Sequence, residues 1–268
     1  MVGESLAVLG GLAALGVSAR WNWWRFPATG LPILMYHKVG NPPAGSRLKK
    51  LWVSVDDFRW QMDYLKKRGY EVLTLRRVVE DQAAGRAIPP SAVVLTFDDG
   101  YRNNIENALP VLRAVGFPAT VYVVVHAVGR DNFWHDPSSE VRLPMLSWED
   151  ILILRDAGWD IGSHTLTHPR LARLSLEEAN HEIVESRRIL EKKVGVSPVS
   201  FAHPYGNGAD HLEIRRRIQD AGYRTAVSVH RGKGDLTKDP FCLKRIFVRG
   251  DDTRWDFHLN LTRGQARF

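Results

Sequence analysis

Cysteine is almost absent from this chain, since Cys242 is the one thiol among 268 residues. A single cysteine excludes an internal disulfide framework and a zinc cage made of several thiolates, so a metal site would need histidine and carboxylate ligands. No glycine-rich dinucleotide fingerprint or phosphate loop follows any apolar run that resembles a strand. Nucleotide-dependent chemistry therefore has no supporting motif.

The chain has no block of positive charge, although its formal net charge is +7. The Lys and Arg residues are spread through candidate helices and the C-terminal tail, which argues against a nucleic acid partner. We interpret the excess as a solvated basic surface, and attraction to acidic membranes or polymers is the alternative. The length suffices for one large α/β domain or two small ones.

No apolar run reaches the roughly 20 residues of a typical membrane-spanning helix. Leu6–Ala19 comes nearest, and the tryptophans at 21–24 that follow it are suited to a membrane interface. We predict a membrane anchor or signal-like segment with its linker at residues 1–28, and a single domain at 29–268. Cleavage of a secretory signal at 17–19 is the rival interpretation, although the expected positive charge before the run is missing.

The side of the membrane follows less directly from these residues. We expect an anchored protein whose domain lies outside the cytoplasm, and a secreted one if the segment is cleaved. Arg20 and Arg25 come after the apolar run, and the positive-inside rule would then place the domain on the cytoplasmic face. Both orientations stay open at this point.

Strand-like and helix-like segments alternate after Pro32. Seven short apolar or β-branched runs recur, at Ile33–Tyr36, Val72–Leu75, Val93–Phe97, Thr120–Val125, Asp160–Ser163, Val199–Ala202 and Thr225–Val229. The stretches between them are amphipathic with recognisable ends; Ser175 and Glu178, for example, form a capping box for a helix that ends at Gly195. This alternation predicts the α/β class and a distorted (β/α)7 TIM-like barrel, with an open doubly wound sheet as the alternative.

Polar residues follow several of the predicted strands, where parallel barrels gather their working loops. They are His37, the pair Asp98 and Asp99, His164, and the segment His203-Pro204-Tyr205. His164 and His168 are four residues apart, so a helical turn or tight loop would bring both rings to one side. Two imidazoles and one carboxylate form a facial ligand set that leaves positions open for water and substrate.

Each of these groups also has a plainer interpretation. An isolated His-x-x-x-His pair is often surface histidine, and Asp98 and Asp99 could be solvated acids in a turn before Gly100. A carboxylate directly after a buried strand, however, needs a cation or a hydrogen-bond donor. The combination therefore favours a metal site over two unrelated features.

The sequence resembles the polysaccharide deacetylases, also called the NodB-homology or carbohydrate esterase 4 group, from Leu31 to about Phe257. Thr96-Phe97-Asp98-Asp99-Gly100 is similar to the first family motif, and the resemblance implies that Asp98 is the catalytic base and Asp99 a metal ligand. The segment from His164 to His168 resembles the second motif, whose two histidines bind the metal. Zinc is the implied metal, with cobalt or nickel as alternatives.

The third motif departs from the family pattern, because Phe201-Ala202-His203-Pro204-Tyr205 lacks the arginine that normally braces the base. The small residue there, together with Leu34-Met35-Tyr36-His37, is similar to the poly-N-acetylglucosamine deacetylase branch. That likeness implies that His37 replaces the late Leu-x-His motif as proton donor and that the Tyr205 backbone N–H, with the metal, holds the oxyanion. His203 is a candidate to brace Asp98, with a structural role as the alternative.

The remaining candidates carry weaker signals. His126 and the Trp134-His135-Asp136 cluster are candidates to line a sugar groove or merely to pack a loop, and His181 and His211 are expected at the surface. We predict a metal-dependent hydrolase that removes an N-acetyl group from an amino-sugar glycan or glycan-lipid. The alternatives are deacetylation or deformylation of a lipid-linked amino sugar, and a catalytically silent glycan-binding homologue.

Overall fold

The computed structural model describes residues 10, 11, 16, 27–138 and 140–266. Its strands are β1 (Ile33–Tyr36), β2 (Lys38–Val39), β3 (Trp52–Val53), β4 (Glu71–Leu73), β5 (Ala92–Phe97), β6 (Thr120–Val123), β7 (Asp160–Ser163), β8 (Ser200–Ala202), β9 (Thr225–Arg231) and β10 (Leu243–Phe247). Its helices are α1 (Val55–Lys67), α2 (Leu75–Ala83), α3 (Leu109–Val115), α4 (Trp148–Asp156), α5 (Leu176–Val194), α6 (Leu212–Asp220) and α7 (Arg254–Arg263). Short 3₁₀ turns lie at Lys49–Leu51, Val125–Ala127, Leu171–Arg173 and Pro204–Gly206, and a π-helical turn at Asn104–Ala108.

Seven strands close into a parallel ring in the order β1, β10, β9, β8, β7, β6, β5. The closing pair is β1 with β5, which runs from Ile33 opposite Val94 to Tyr36 opposite Phe97. Strand β4 pairs with the first half of β5 and lies outside the ring. The predicted (β/α)7 barrel is therefore confirmed, and the open-sheet alternative is wrong because β1 joins the two ends of the sheet.

The helix boundaries follow the capping residues in the sequence. Ser175 accepts a hydrogen bond from the Glu178 N–H, and the Glu178 carboxylate accepts one in return from the Ser175 N–H. Gly195 ends the same helix in the left-handed conformation at φ 76°, which costs glycine little because it has no Cβ. Ser147 begins α4 with the same kind of capping box. These reciprocal bonds satisfy N–H groups that the first helical turn leaves without partners.

The alternation of side chains along β5 decides which residues enter the barrel. Val94 belongs to the interior cluster of the ring, whereas Leu95 and Phe97 belong to the cluster under the helices. With a period of two, Thr96 and Asp98 follow Val94 onto the inner side. The Phe97 ring stacks on Tyr36 at 5.3 Å and on Trp159 at 5.1 Å. This packing outside the ring fixes the strand whose end carries Asp98.

Two sequence predictions need correction. The run at Val72–Leu75 is β4, observed at Glu71–Leu73, and it is not a member of the ring. The seventh ring strand is β10, Leu243–Phe247, which the apolar pattern missed because Lys244 and Arg245 interrupt it. Arg245 nevertheless points inward and is buried, since a charge that has a partner can occupy a barrel interior.

Most of the predicted anchor, residues 1–28, lies outside the described residues, so the anchor stays a prediction. Within the part of the chain that the structure describes, no helix combines the length and the apolar character needed to cross a membrane.

Candidate active site

Asp99, His164 and His168 meet at the carboxyl-terminal mouth of the barrel. The Asp99 Oδ1 atom lies 3.4 Å from the His164 Nε2 and 3.3 Å from the His168 Nε2. All three side chains are buried. With bonds of about 2.0–2.2 Å to nitrogen and oxygen, ligands of one zinc ion lie roughly 3.3 Å apart. The sequence prediction thus names three residues whose donor atoms are spaced as the ligands of a single ion would be.

Backbone strain is concentrated at this mouth. Among the described residues, the non-glycine positions with left-handed backbone are Asp99 (φ 73°), Thr165 (φ 69°), His168 (φ 64°) and Tyr205 (φ 58°). Each such conformation costs on the order of 1–3 kcal/mol and persists only where the surroundings enforce it. Four such residues around one group of candidate ligands indicate that the backbone is strained here in order to direct these side chains into the site.

Glu182 holds the loop between the two histidines from the side of α5. Its Oε2 accepts hydrogen bonds from the Leu166 N–H at 2.8 Å and the Thr167 N–H at 3.0 Å, and its Oε1 accepts the Thr167 hydroxyl at 2.6 Å. The Thr165 hydroxyl accepts the His168 N–H at 2.9 Å. These bonds satisfy the N–H groups of residues 166–168. The loop therefore holds the His168 ring toward Asp99 although it is not helical.

The hydrogen bond of His164 indicates its tautomer. Its Nδ1 lies 2.8 Å from the Ala202 carbonyl oxygen, so Nδ1 carries the proton and Nε2 keeps a lone pair directed at Asp99. Burial lowers the pKa of His168 to about 4, so this ring is neutral near neutral pH.

Asp98 is paired with an arginine that sequence reasoning did not find. The Arg245 guanidinium donates one hydrogen bond to each Asp98 carboxylate oxygen, both at 2.6 Å. Arg245 also donates to the Ser228 carbonyl oxygen at 2.8 Å and the Thr96 hydroxyl at 3.1 Å. Burial alone would raise the pKa of Asp98, but the charge and hydrogen bonds of Arg245 outweigh it and hold that pKa below its usual value.

The arginine missing from the third motif is thus supplied by another strand. His203 does not take that place, because its Nε2 lies 3.2 Å from the Phe241 carbonyl oxygen and its Nδ1 has no hydrogen-bond partner within the described chain. Burial lowers the pKa of His203 to about 3. Of its two predicted roles, the structure supports the structural one.

His37 leaves β1 at the same mouth and is partly exposed. Its ring contacts Phe247 edge to face at 5.9 Å, and its backbone carbonyl accepts a hydrogen bond from the Asn104 side chain at 2.9 Å. Its Nδ1 is buried without a partner among the described residues. Burial lowers the pKa of His37, and the charges of Asp99 and Asp98 oppose that shift. The ring is therefore predominantly neutral at neutral pH in the resting protein.

Pro204 and Tyr205 form the turn that follows β8. Pro204 is buried, while 41% of Tyr205 is exposed. The Tyr205 ring lies 4.5 Å from the His168 ring, and the Arg170 guanidinium lies over it at 4.3 Å. The left-handed backbone of Tyr205 turns the chain sharply beside the ligand group. This places the predicted oxyanion residue next to the candidate metal ligands.

Of the weaker candidates, one reaches the site. The Trp134 ring lies 4.8 Å from the His168 ring and 5.7 Å from that of His135. Asp136 is exposed on the same loop, and His126, His181 and His211 are exposed elsewhere. Trp134 is therefore part of the wall of the site, and the surface assignment of His181 and His211 is confirmed.

A buried lysine beside His37 escaped the sequence analysis. The Lys38 Nζ lies 4.6 Å from the centre of the Tyr101 ring, 5.4 Å from that of Trp52 and 4.0 Å from the Glu140 Oε1. Glu140 in turn accepts the Ser46 hydroxyl at 2.6 Å and two backbone N–H groups at 47 and 48. Burial lowers the pKa of Lys38. The pair ties together two loops that border the mouth.

Comparisons with known proteins agree with this architecture. Residues 85–226 match the sequence model of the polysaccharide deacetylases. A poly-beta-1,6-N-acetyl-D-glucosamine N-deacetylase of Staphylococcus aureus strain MRSA252 is 26% identical over 231 residues, which cover 80% of this chain and 76% of the relative. Residues 85–226, which match the family model, contain Asp98, Asp99, His164, His168 and Tyr205, whereas His37 and Arg245 lie outside them.

Two solved structures have the same fold. BC0361, a polysaccharide deacetylase from Bacillus cereus, superimposes with a TM-score of 0.71 at 27% identity. The superimposed part covers 87% of this chain and 69% of the BC0361 chain. The Streptococcus pyogenes deacetylase PplD, solved in complex with acetate, gives a TM-score of 0.74 at 22% identity and covers 88% of this chain and 99% of its own. At that lower identity the second likeness concerns the fold alone.

Proposed function

We propose, from the premise that this chain belongs to the polysaccharide deacetylase family, that it removes N-acetyl groups from a poly-N-acetylglucosamine type of glycan. As a member of that family it is a hydrolase of carbohydrate N-acetyl amide bonds. The observation that carries the proposal is the buried group of Asp99, His164 and His168 beside the Arg245-braced Asp98. The named Staphylococcus aureus relative supports the choice of glycan.

The residues present fit a divalent cation, with zinc as the first candidate and cobalt or nickel as alternatives. Asp99 and the two Nε2 atoms offer three donors on one side, and the hydrogen bond from His164 to Ala202 supplies the outer support typical of a metal-binding histidine. When bound, such a cation polarises the amide carbonyl and lowers the pKa of a water molecule. The burial of Asp99 also favours a cation there, because an unpaired buried carboxylate is costly.

Asp98 is the proposed general base. Its pairing with Arg245 keeps the carboxylate ionised despite burial, and an ionised carboxylate is the form that can accept a proton from the attacking water. The two-pronged hydrogen bond also fixes the plane of the carboxylate, because the guanidinium fork matches it. The finding of Arg245 removes the argument that the missing motif arginine makes the protein catalytically silent.

His37 is proposed to act on the departing amine, and Tyr205 on the oxyanion. The neutral His37 ring would first take up a proton and then deliver it to the departing sugar amine, a role suited to an imidazole near neutral pH. The Tyr205 backbone N–H would donate a hydrogen bond to the oxyanion. The exposed face of Tyr205 and the nearby Trp134 offer flat apolar surfaces on which a sugar ring can stack.

The test is acetate release by the full chain from short N-acetylglucosamine oligomers with 1,6 or 1,4 linkages. The protein is stripped with a chelator and then given zinc, cobalt or nickel. We expect release that depends on added metal and is lost in Asp99→Ala, while the exposed Asp220→Ala control retains it. Equal release by the stripped protein would contradict the metal assignment.

A lipid-linked amino sugar is the alternative substrate. No feature of the described residues favours it over a polymer, so it enters as a second arm of the same experiment. Release of acetate or formate from a lipid-linked substrate without release from any oligomer would transfer the proposal to that class. Saccharide binding that survives Asp98→Asn with no release from either class would instead support the silent glycan-binding homologue.

We also propose that the domain is attached to a membrane through its N-terminal segment and works outside the cytoplasm. Its support is the apolar run Leu6–Ala19 and the tryptophans that follow it. A reporter enzyme fused at the C-terminus and active only outside the cytoplasm would give signal in this orientation. A signal from a cytoplasm-specific reporter alone would support the orientation that Arg20 and Arg25 favour.

A further inference from the structure

A second group of ligating side chains lies on the outer side of β9 and β10, apart from the barrel mouth. It consists of Asp210, His230 and Cys242, whose donor atoms all lie within 4.8 Å of one another. The His230 Nε2 lies 3.0 Å and 3.2 Å from the two Asp210 carboxylate oxygens. The Cys242 side chain is buried, while Asp210 and His230 face a cavity of about 440 Å³.

The three residues come from three separate segments. Asp210 lies in the loop after β8, His230 near the end of β9, and Cys242 directly before β10. None of them has a part in the proposed hydrolysis. The set combines a carboxylate, an imidazole and a thiol, and that thiol is the single cysteine of the chain.

The geometry points to a second metal site: we propose that Asp210, His230 and Cys242 bind a divalent cation of the zinc type. Bonds of about 2.3 Å to sulfur and 2.0–2.2 Å to nitrogen and oxygen place the ligands of a tetrahedral ion roughly 3.3–3.6 Å apart. The three donor atoms lie within 4.8 Å of one another, so the side chains would draw closer together on binding to reach that spacing. A thiolate selects zinc or a softer ion over magnesium and calcium, which prefer oxygen.

The charges around the group are compatible with a cation. Ionised Cys242 and Asp210 together balance a doubly charged ion. Arg215 pairs with Asp239, since its Nη1 lies 3.2 Å from each Asp239 carboxylate oxygen. Its Nη2 also lies 3.7 Å from Asp210, so a bound ion would compete with this contact. Three lysines at 233, 238 and 244 line the same cavity, and their positive charges oppose a cation, so its binding depends on the two anionic ligands.

Such a group could instead activate Cys242 as a nucleophile, and the structure argues against this alternative. Burial raises the pKa of the Cys242 thiol, and a nucleophilic cysteine needs a lowered one. A metal ion displaces the thiol proton when it binds, so a raised pKa weakens metal affinity at low pH without abolishing it. The donor set therefore fits coordination better than nucleophilic chemistry.

The consequence of binding would be structural. An ion here would join the loop after β8 to the edge formed by β9 and β10. That loop begins at Pro204 and Tyr205, beside the catalytic ligands, and ends close to Asp210. Metal binding would therefore limit the movement of the segment that carries the proposed oxyanion donor, without contact with the substrate.

Cobalt binding to the full chain tests this site separately from the first. The single cysteine makes the assay specific, since a sulfur-to-cobalt charge-transfer band can arise only from Cys242. The measurement uses the Asp99→Ala variant, in which the proposed catalytic site is damaged, and compares it with Asp99→Ala/Cys242→Ser and Asp99→Ala/His230→Gln. Thermal unfolding with and without zinc is recorded for the same three proteins.

We expect the charge-transfer band and a zinc-dependent rise in Tm in Asp99→Ala, loss of both in the Cys242→Ser partner, and loss or strong weakening in the His230→Gln partner. The inference is overturned if Asp99→Ala shows no band, or if the band survives His230→Gln unchanged, because a lone thiolate would then be the ligand. The result is independent of glycan hydrolysis, so it stands or fails apart from the proposed function.

Discussion

The contact between Arg245 and Asp98 gives the sharpest prediction for the barrel interior. Arg245→Met keeps an apolar side chain of similar length in place and removes both hydrogen bonds to the Asp98 carboxylate, each 2.6 Å long. Both residues are almost fully buried, so water cannot replace the lost donors. Breaking a buried ion pair on one side costs about 3–5 kcal/mol, because the remaining charge is left uncompensated. We expect a loss of that size in the free energy of unfolding.

A double-mutant cycle separates the pair from the other contacts of Arg245. Adding Asp98→Asn to Arg245→Met removes the stranded charge, and we expect it to restore at least about 2 kcal/mol of the loss. Urea unfolding of wild type, both single variants and the double variant measures this coupling. If Asp98→Asn restores nothing, Arg245 stabilises the barrel through Thr96 and Ser228 instead, and the reasoning is refuted.

Activity provides the second readout of the same change. If Asp98 is the general base, loss of its bracing should lower kcat by about 10²-fold or more, the scale of general base catalysis. Arg245→Lys keeps the charge without the two-pronged geometry, so we expect it to recover more stability than kcat. Full kcat in a folded Arg245→Met protein would show that the guanidinium has no part in orienting Asp98.

Three further predictions follow from the loops and from His203. Glu140→Ala should destabilise the protein by about 2 kcal/mol more than Lys38→Met in urea unfolding, because it strands a buried ammonium and also removes the hydrogen bonds that Glu140 accepts from residues 46–48, and equal losses would contradict this reasoning. His203 has a pKa of about 3 when folded and an ordinary value of 6.5, so the unfolded chain takes up a proton first as pH falls. This group alone should contribute a drop in stability of about 2 kcal/mol from neutral pH to about pH 5, and His203→Gln should make the total drop smaller by that amount in unfolding curves measured at both pH values. Glu182→Gln should weaken zinc binding about 10- to 100-fold, since it loosens the loop before His168; an unchanged dissociation constant in competition with a chelating dye would refute that support.

Local sequence determined much of this protein. The capping residues Ser147 and Ser175 define helix starts through hydrogen bonds within four residues, so their helices could be predicted from the chain alone. The spacing of His164 and His168 in one loop, and the position of Asp98 and Asp99 after an apolar strand, likewise depend on near neighbours. These patterns identified the candidate metal ligands before any fold was known.

Tertiary structure decided what depends on distant segments. Closure of the ring requires β1 to pair with β5, which lies about 60 residues further along the chain. The periodicity of the sequence does not indicate which distant strand will be the partner. Arg245 lies 147 residues from Asp98, in a strand whose two adjacent charges resemble a surface segment. Its charge is stable inside the barrel only because the carboxylate is there, so the base and its brace could be recognised as a pair only when the fold brought them together.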